Sequence, residues 1–420
     1  MAAAGHTDFD VVIVVGGAVG ATLALELDRL HYRVAVIELH QPSFASTKPE
    51  RVIALNYGSR CHLDRLGLWR DVAAKGLGEI HHIVVTEPGN RGRVDLDVAD
   101  AANHSPDMHE LGYVVEMGLL LEPMYQRLQD SDVELISPAS VLNFEVVLDQ
   151  VNIQIRRGDT ISDITSALLV GADGTNSQIR HQAGIGILGW DYNRFGLVAS
   201  VASENGHGNT AYECFRTSGP LAFLPLADGR FSIVWAAMPG EATQLLAMND
   251  DQFITALQKA AGDTTIKLIG DITSTTRRAS FPLELTVARG FSKSRLALVG
   301  NAAHTVHPVA GQGMNLGLRD VDALVGMLDS DLAHDDPGQS IIMQGYAEKR
   351  RADVMAVAGF TESMVHVFGS SMPGMKWLRG MGLEKLPRAQ SLSGLLLQQA
   401  SGEGQMSSNR CAQKNREIAA

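Results

Sequence analysis

The stretch DFDVVIVVGGAVGATLALEL, Asp8–Leu27, constrains the fold of this chain more than any other segment. Val11–Val15 is an uninterrupted run of apolar, mostly β-branched residues, which predicts a strand buried on both faces. A turn of small residues follows, and Ala21–Leu30 then places leucines at helical spacing. Tyr32–Glu38 predicts a second buried strand. Together these elements predict a strand–helix–strand unit of roughly 30 residues, the size of a βαβ unit.

The turn inside this unit carries an incomplete G-x-G-x-x-G fingerprint. Gly17 and Gly20 supply its second and third glycines, whereas Val15 stands where the first is expected. The second glycine lets backbone amides approach a pyrophosphate, and the third lets the helix pack closely on the strand. Glu38 ends the second strand 18 residues after Gly20, where an acidic side chain binds an adenosine ribose. The alternative, which Val15 favours, is a tight turn without a ligand.

A second motif, VGADGTNSQIR, follows a predicted strand at Ala167–Gly171. Asp173 and Gly174 begin the pattern D-G-x-x-S-x-x-R, which Ser177 and Arg180 complete. An Asp at a strand end accepts hydrogen bonds from ribose or ribitol hydroxyls, and the glycine permits close approach. The alternative is a simple Asp-Gly turn.

The third motif is GNAAHTVHPVAGQGMNLGLRD, Gly300–Asp320. Gly313–Asn315 opens a predicted helix, whose free N–H groups stabilise negative charge such as that of a reduced flavin ring. Pro308 stiffens the preceding loop, since proline fixes its own φ and restricts its neighbour. His304 and His307 are expected to be structural hydrogen-bonding groups. No nearby Cys or carboxylate completes a metal site with them in the sequence.

These motifs, in this order, resemble those of the class A FAD-dependent aromatic hydroxylases, typified by para-hydroxybenzoate hydroxylase. Within that class the chain resembles the ubiquinone-biosynthesis hydroxylase family, most of all its 2-polyprenyl-6-methoxyphenol hydroxylase branch. The resemblance covers about Asp8 to Leu386 and is carried by PERVIALNYGS, YVVE, GADGTNSQIR, GPLAFLPLADGRFSIVW and LVGNAAHTVHPVAGQGMNLGLRD. It implies an α/β fold: a Rossmann-like FAD-binding domain of the para-hydroxybenzoate hydroxylase type, an inserted β-sheet substrate domain and C-terminal helices.

The strand pattern and the resemblance together predict how the chain divides into domains. The expected parts are a discontinuous FAD-binding domain at 8–80, 151–190 and 285–340, an intervening segment at 81–150, a substrate-binding β-sheet domain at 191–284, a C-terminal helical region at 341–400 and a disordered tail at 401–420.

The resemblance also implies which residues bind FAD. The predicted cofactor-binding residues are Val15, Gly16, Gly17, Gly20, Glu38, Arg51, Asp173, Gly174, Asn301, Pro308, Gly311, Gln312, Gly313, Met314 and Asn315. Asn301 stands where most relatives have Asp, so it keeps an acceptor oxygen and loses the charge. Phe223, Leu224 and Pro225 are expected to form the substrate wall, with ordinary core packing as the alternative for each.

The activity implied by the resemblance is hydroxylation of the aromatic ring of a polyprenyl phenol in ubiquinone biosynthesis. NAD(P)H and O2 are the expected co-substrates, and a flavin C4a-hydroperoxide is the expected hydroxylating species. Because the flavin carries this chemistry, no side chain is expected to be catalytic and no metal is expected. Two alternatives stay open. One is another flavoenzyme, such as a halogenase or prenyl reductase, although Trp235 does not begin the halogenase W-x-W-x-I-P pattern. The other is a non-catalytic subunit of a ubiquinone-synthesis assembly with a weakened FAD site.

Charge and composition restrict the partners and the location. A formal net charge of -12 argues against a nucleic-acid partner. The three cysteines, Cys61, Cys214 and Cys411, lie far apart, so we expect no disulfide and a cytoplasmic location. A lipid-tailed phenol requires contact with a membrane or with other ubiquinone-synthesis proteins. The amphipathic segment 364–399 is a candidate for peripheral contact at the inner face of the membrane. Packing on the protein's own core or on a second copy in a homo-oligomer is the alternative.

Overall fold

The computed structural model describes residues 7–42, 51–90, 92–102 and 108–370. The first ten strands are β1 (Phe9–Val14), β2 (Val34–Ile37), β3 (Val52–Asn56), β4 (Gly78–Ile80), β5 (His82–Thr86), β6 (Arg93–Asp97), β7 (Gly112–Glu116), β8 (Glu134–Ile136), β9 (Ser140–Val147) and β10 (Gln150–Arg157). The next ten are β11 (Thr160–Gly171), β12 (Ile187–Ser203), β13 (Thr210–Cys214), β14 (Leu221–Pro225), β15 (Phe231–Ala237), β16 (Ile272–Thr275), β17 (Ala279–Ala288), β18 (Ser292–Lys293), β19 (Leu296–Leu298) and β20 (His304–Thr305).

The α-helices of the described residues alternate with these strands. They are α1 (Ala18–Arg29), α2 (Tyr57–Arg65), α3 (Trp69–Lys75), α4 (Val98–Ala102), α5 (Met117–Gln129), α6 (Gln178–Gln182), α7 (Pro239–Ala247), α8 (Asp250–Ile269), α9 (Gln312–Leu328), α10 (Asp331–Asp335) and α11 (Ser340–Gly369).

The first sheet is built on the predicted βαβ unit. Its strands lie in the order β18-β19-β11-β1-β2-β8, and β1 pairs in parallel with both β2 and β11. The strands β1 and β2 are almost wholly buried, as their uninterrupted apolar sequences predict. Helices α1, α5 and α9 contribute to the same apolar core. Strands β9 and β10 extend β11 as an antiparallel meander.

The second sheet has nine strands, mostly antiparallel, with β20-β17-β12-β15-β14-β13-β5-β6 as its main order. Helices α7 and α8 cover one of its faces and form a separate apolar core with it. A small third sheet, β3-β7-β4, stands between the two larger ones. The predicted intervening segment 81–150 therefore contributes to all three sheets, because β5 and β6 join the second, β7 the third, and β8 and β9 the first.

The α/β fold class predicted from the sequence is confirmed by this architecture. The expected C-terminal helical region is described only as far as residue 370, where it forms the single long helix α11. The rest of that region, the predicted tail at 401–420 and most of the amphipathic segment 364–399 lie outside the described residues. Among the residues that the structure describes, no helix is both long and apolar enough to span a membrane.

The cysteine prediction is wrong in one respect. Cys61 is disulfide-bonded, whereas Cys214 is a free thiol buried under the second sheet. The spacing of cysteines along a chain does not report which of them meet in space, so their wide spacing did not exclude a bridge. Because Cys61 is bonded, the cysteines no longer indicate a cytoplasmic location.

The turn between β1 and α1 generates a prediction about its two glycines. A methyl group added at Gly20 would lie 2.2 Å from the carbonyl oxygen of Val15, whereas one added at Gly17 would meet nothing within 4 Å. We expect Gly20→Ala to lower the free energy of unfolding by about 3 kcal/mol, because backbone must move to admit the methyl. Gly17→Ala, the matched control, should cost about 1 kcal/mol or less. Urea denaturation of both variants measures this, and equal losses would contradict the close approach at Gly20.

Candidate functional site

The carboxyl ends of parallel strands bring the predicted cofactor residues to one edge of the first sheet. Val15 follows β1, Glu38 follows β2, Asp173 comes shortly after β11, and Asn301 comes shortly after β19. These four strands are neighbours in the order β19-β11-β1-β2. Ligands of open α/β sheets bind in the crevice outside the carboxyl ends of the strands. This edge is therefore the candidate cofactor site.

Val15 adopts the left-handed backbone conformation that suits a glycine. Its φ is +75°, and an L-residue there is strained by roughly 1–2 kcal/mol, with β-branched residues fitting worst. The Val15 N–H still donates to the carbonyl of Ile37 at 2.8 Å, so the turn stays attached to β2. The turn therefore forms with valine in the glycine's place, at a cost in backbone strain.

Glu38 is tied to the glycine turn from the neighbouring strand. Its Oε2 accepts a hydrogen bond from the Gly16 N–H at 2.8 Å, and its Oε1 accepts one from the Leu39 N–H at 3.0 Å. Tyr125 of α5 donates its hydroxyl to the Gly16 carbonyl at 2.8 Å. Burial, reinforced by the charge of Glu38, raises the pKa of Tyr125, so the hydroxyl stays a donor. Tyr125 was missed from the sequence because it lies 109 residues from its partner.

Asp173 uses both carboxylate oxygens to cap helix α6. Its Oδ1 accepts the Ser177 hydroxyl at 2.5 Å, and its Oδ2 accepts the N–H groups of Gln178 at 2.7 Å and Ile179 at 3.1 Å. Gly174 has a φ of +82°, and a methyl added there would meet nothing within 4 Å. The carboxylate therefore shapes the loop, the space beside Gly174 is open, and a contact from Asp173 to a ribitol or ribose stays a prediction.

Arg180 joins this loop to the segment after β19. Its guanidinium donates to the carbonyls of Thr175 and Ala302, each at 2.8 Å. Burial lowers the pKa of Arg180, and the charge of Asp173 opposes that effect. Asn301 lies in the joined segment, and its amide nitrogen is 3.4 Å from the Thr175 hydroxyl. The second and third motifs of the sequence are therefore one structural unit.

Asp320, the last residue of the third motif, holds that unit from inside. The carboxylate is fully buried; its Oδ2 accepts the Gly300 N–H at 2.7 Å and His304 Nε2 at 2.6 Å. Its Oδ1 accepts Arg350 Nε of α11 at 2.6 Å. Burial by itself raises the pKa of Asp320, but His304 and Arg350 outweigh it and lower the pKa below its usual value. Asp320 was quoted in the motif but not singled out as a site residue.

Asn315 clamps the start of α9 to strand β3. Its Oδ1 accepts the Asn56 N–H at 3.0 Å and the Ser59 hydroxyl at 2.7 Å. Its Nδ2 donates to the carbonyls of Ala54 at 3.1 Å and Gly311 at 2.9 Å. Gly311 has a φ of +60°, and a methyl added there would lie 2.6 Å from the Ala54 methyl. Any contact of Asn315 with a cofactor is accordingly left to its backbone.

The residues at this edge fit an anionic cofactor such as FAD. Helices α1 and α9 both begin without a side-chain cap and without an acidic residue in the first turn. The positive dipole ends of both helices therefore attract an anion that binds at this edge. Methyl groups added at Gly17 or Gly313, in the first turns of these helices, would meet nothing within 4 Å. Backbone donors and open space thus coincide at two points of the edge.

The remaining predicted cofactor residues lie around the same edge. Arg51 is exposed directly before β3, and Pro308 leads into the 3₁₀ turn at Val309–Gly311. Gln312 is buried at the start of α9, whereas Met314 is half-buried there.

The three predicted substrate residues do not share one face of the second sheet. Successive strand residues point to opposite faces. Phe223 is fully buried in the core under α7 and α8, and Pro225 is also buried. Leu224 is half-buried in a different apolar cluster. That cluster includes Val309, which lies in the segment 308–315 that is predicted to border the flavin and is called the predicted flavin loop. Phe223 is therefore a core residue, as the alternative of ordinary core packing predicted. Leu224 stays a candidate for the substrate wall.

One row of residues on the second sheet faces away from the core under α7 and α8. Its members are partly exposed and lie opposite one another in register; they are Val85, Glu213, Ala222, Val234, Val198 and Ala279. We call them the open row. Their strand neighbours Tyr212, Cys214 and Trp235 are buried in the core on the other face. The open row is aliphatic apart from Glu213, and burial raises the pKa of Glu213 to about 7.

His307 lies next to Pro308 on the other side of the predicted flavin loop. It is 2% exposed, and burial lowers its pKa to about 4, so the ring is neutral at physiological pH. Its Nδ1 accepts the Val309 N–H at 3.2 Å. Its ring meets that of Tyr192 edge-on at 5.0 Å, and the Tyr192 hydroxyl donates to Glu362 of α11. These contacts give His307 a structural role of the kind expected from the sequence.

Comparison with known proteins identifies relatives along nearly the whole chain. A family described as FAD binding domain matches residues 8–361. The 3-demethoxyubiquinol 3-hydroxylase of Escherichia coli (strain K12) is 33% identical over 94% of this chain and 98% of its own length. The ubiquinone hydroxylase UbiL of Rhodospirillum rubrum is 34% identical, with 94% and 89% covered. The human mitochondrial ubiquinone biosynthesis monooxygenase COQ6 is 27% identical, with 90% and 89% covered.

Solved structures show the same fold. The p-nitrophenol 4-monooxygenase PnpA of Pseudomonas putida DLL-E4 superposes with a TM-score of 0.76 at 18% identity, covering 94% of this chain and 98% of its own. The FAD-dependent monooxygenase pqsL of Pseudomonas aeruginosa, described as probable, gives 0.74 at 22% identity, with 89% and 99% covered. At such identities the likeness establishes the fold alone.

The strain at Val15 generates a second prediction. Val15→Gly and Val15→Ala lose similar packing, but only glycine takes a φ of +75° freely. We expect the glycine variant to be more stable than the alanine variant by about 1 kcal/mol, the reverse of their order within helices and strands. We also expect Val15→Gly to bind FAD more tightly than the wild type, by roughly two- to tenfold, because glycine takes the φ of this turn without strain. Thermal denaturation and FAD titration of the apo-proteins measure both effects. An alanine variant as stable as the glycine variant would contradict the expected order of stability. Unchanged FAD affinity in Val15→Gly would contradict the expected gain in binding.

The buried charge of Asp320 generates a third prediction, which concerns stability. Asp320→Asn removes the buried carboxylate that Arg350 and His304 share, although Arg350 keeps Asp353 as a partner, so we expect it to lower the free energy of unfolding by about 3–5 kcal/mol. Asp335→Asn, which removes an exposed carboxylate on α10, is the matched control and should change stability by about 0.5 kcal/mol or less. Chemical denaturation at neutral pH measures the free energy of unfolding of both variants. A loss of about 1 kcal/mol or less in Asp320→Asn would show that the network does not hold the loop.

Proposed function

We propose, from the premise that the chain belongs to the FAD binding domain family, that it hydroxylates the aromatic ring of a polyprenyl phenol in ubiquinone biosynthesis. The chain is a flavoprotein monooxygenase of the aromatic hydroxylase kind. NAD(P)H and O2 are the co-substrates in this proposal. The similarity to ubiquinone hydroxylases supports the pathway, and the site supports the cofactor.

The observation that carries the proposal is the pair of uncapped helix N-termini at α1 and α9. The N–H groups following Gly17 are suited to the pyrophosphate, and those following Gly311 are suited to the pyrimidine edge of the flavin. Glu38 and Asp173 follow β2 and β11, the strands on either side of β1, and their carboxylates accept hydrogen bonds from the chain. When bound, FAD supplies the activation of oxygen that no side chain of the protein supplies.

The substrate side of the proposal is the open row together with Leu224. These residues lie on the face of the second sheet that also carries the apolar cluster containing Val309. An aliphatic wall would hold an aromatic ring and the first isoprene units, and it would exclude water and so limit the loss of peroxide without hydroxylation.

Visible spectroscopy and product analysis test this proposal. The purified protein, supplied with FAD, should be yellow and should oxidise NADPH or NADH faster when 2-prenylphenol is added. Under ¹⁸O₂, mass spectrometry should find one labelled oxygen in the product, because the inserted oxygen comes from O2. Protein that takes up no FAD would overturn the proposal and support a non-catalytic subunit. Flavin that is reduced, with no oxygenated product, would favour a different flavoenzyme.

A further inference from the structure

Glu213 stands out among the residues that line the second sheet. It is the carboxyl group of the open row, and its neighbours in register are the aliphatic Val85 and Ala222. No hydrogen bond or ion pair to its side chain occurs in the described part of the chain. A carboxyl group without a partner in apolar surroundings costs free energy. Such a group calls for an explanation beyond packing.

The face on which Glu213 lies is the one turned toward the predicted flavin loop. Its neighbours two positions away along the chain, Ala211 and Phe215, point to the same face. Both are members of the apolar cluster that contains Val309, directly after Pro308. Phe215 also stacks on Phe368 of α11 at 3.9 Å. The unpaired carboxyl therefore lies on the face of the second sheet that packs toward the predicted flavin loop.

We propose that the Glu213 carboxylate accepts the hydrogen bond of the substrate's phenolic hydroxyl and takes its proton as the ring is attacked. This inference rests on the proposed function, which supplies the phenol. In the step, the phenol O–H bond breaks and an O–H bond forms on Glu213. The electron pair stays on the phenolic oxygen and enriches the ring carbons ortho and para to it. The proton leaves Glu213 for solvent after the product dissociates.

The surroundings of Glu213 suit this role. Burial raises its pKa to about 7, which brings it nearer to that of a phenol and makes proton transfer less unfavourable. The aliphatic members of the open row on both sides accept the ring and its alkyl substituent, while the carboxylate fixes which ring edge faces the flavin. A glutamine in its place keeps the shape, accepts a weaker hydrogen bond and takes no proton.

The test compares two ligands that differ in one methyl group, 2-prenylphenol and its methyl ether 2-prenylanisole. Binding to the FAD-loaded protein is followed by the change in the flavin absorption spectrum at about pH 8, where the carboxylate is charged. The wild type should prefer the phenol by roughly ten- to a hundredfold, the range of a hydrogen bond to a charged group. In Glu213→Gln the preference should fall to about threefold or less, and less product should form per NAD(P)H oxidised.

Matched variants separate this role from a structural one. Glu145→Gln removes an exposed carboxylate on β9 and should keep the wild-type preference. Glu213→Asp keeps a charged carboxylate and should retain part of the preference for the phenol. FAD content and melting temperature check that each variant is folded. Wild-type preference and coupling in Glu213→Gln would overturn the inference. A wild type that binds and prefers the phenol but never hydroxylates it would refute the proposed function alone, and one that binds neither ligand would contradict both.

Discussion

The buried carboxylate of Asp320 is the contact on which the rest of the cofactor edge depends. It joins the Gly300 backbone, the His304 ring and the Arg350 guanidinium, which come from the loop after β19 and from α11. A charge in the interior is tolerated only when its partners are in place. The loop and the two helices α9 and α11 are consequently fixed relative to one another, and so is the helix N-terminus assigned to the flavin.

The fixed frame explains why glycines occur where they do. Gly300 and Gly317 both face Val19 of α1, where added methyl groups would lie 3.3 Å and 2.8 Å from its side chain. Gly311 approaches Ala54 of β3 in the same way. These positions bring α1, α9 and β3 together, whereas Gly17 and Gly313 leave space beside helix N-termini. Glycines of the same motifs thus serve two purposes, close packing and access for a ligand.

Much of this arrangement was predictable because it depends on local sequence. The buried strands β1 and β2, the helix between them and the opening of α9 follow from apolar runs and glycine positions. The second sheet could be recognised as β-rich, but the joining of β5 and β6 to it depends on pairings between distant segments. Phe223 and Leu224 were assigned to one wall, although adjacent residues of a strand point to opposite faces. Which of the two side chains lies in the core depends on which face of the sheet is covered. That is decided by α7 and α8, which follow later in the chain.

Contacts between distant residues were beyond local patterns. Tyr125 meets the glycine turn across 109 positions, and nothing in its own helix marks it. Glu213 had a signal that was not used, since a lone acid between Tyr212 and Cys214 in a strand breaks an otherwise apolar segment. Val15 was interpreted as a defect in the fingerprint, and its φ of +75° shows that the turn forms regardless. A cofactor that binds only the folded chain at this edge stabilises the fold by mass action.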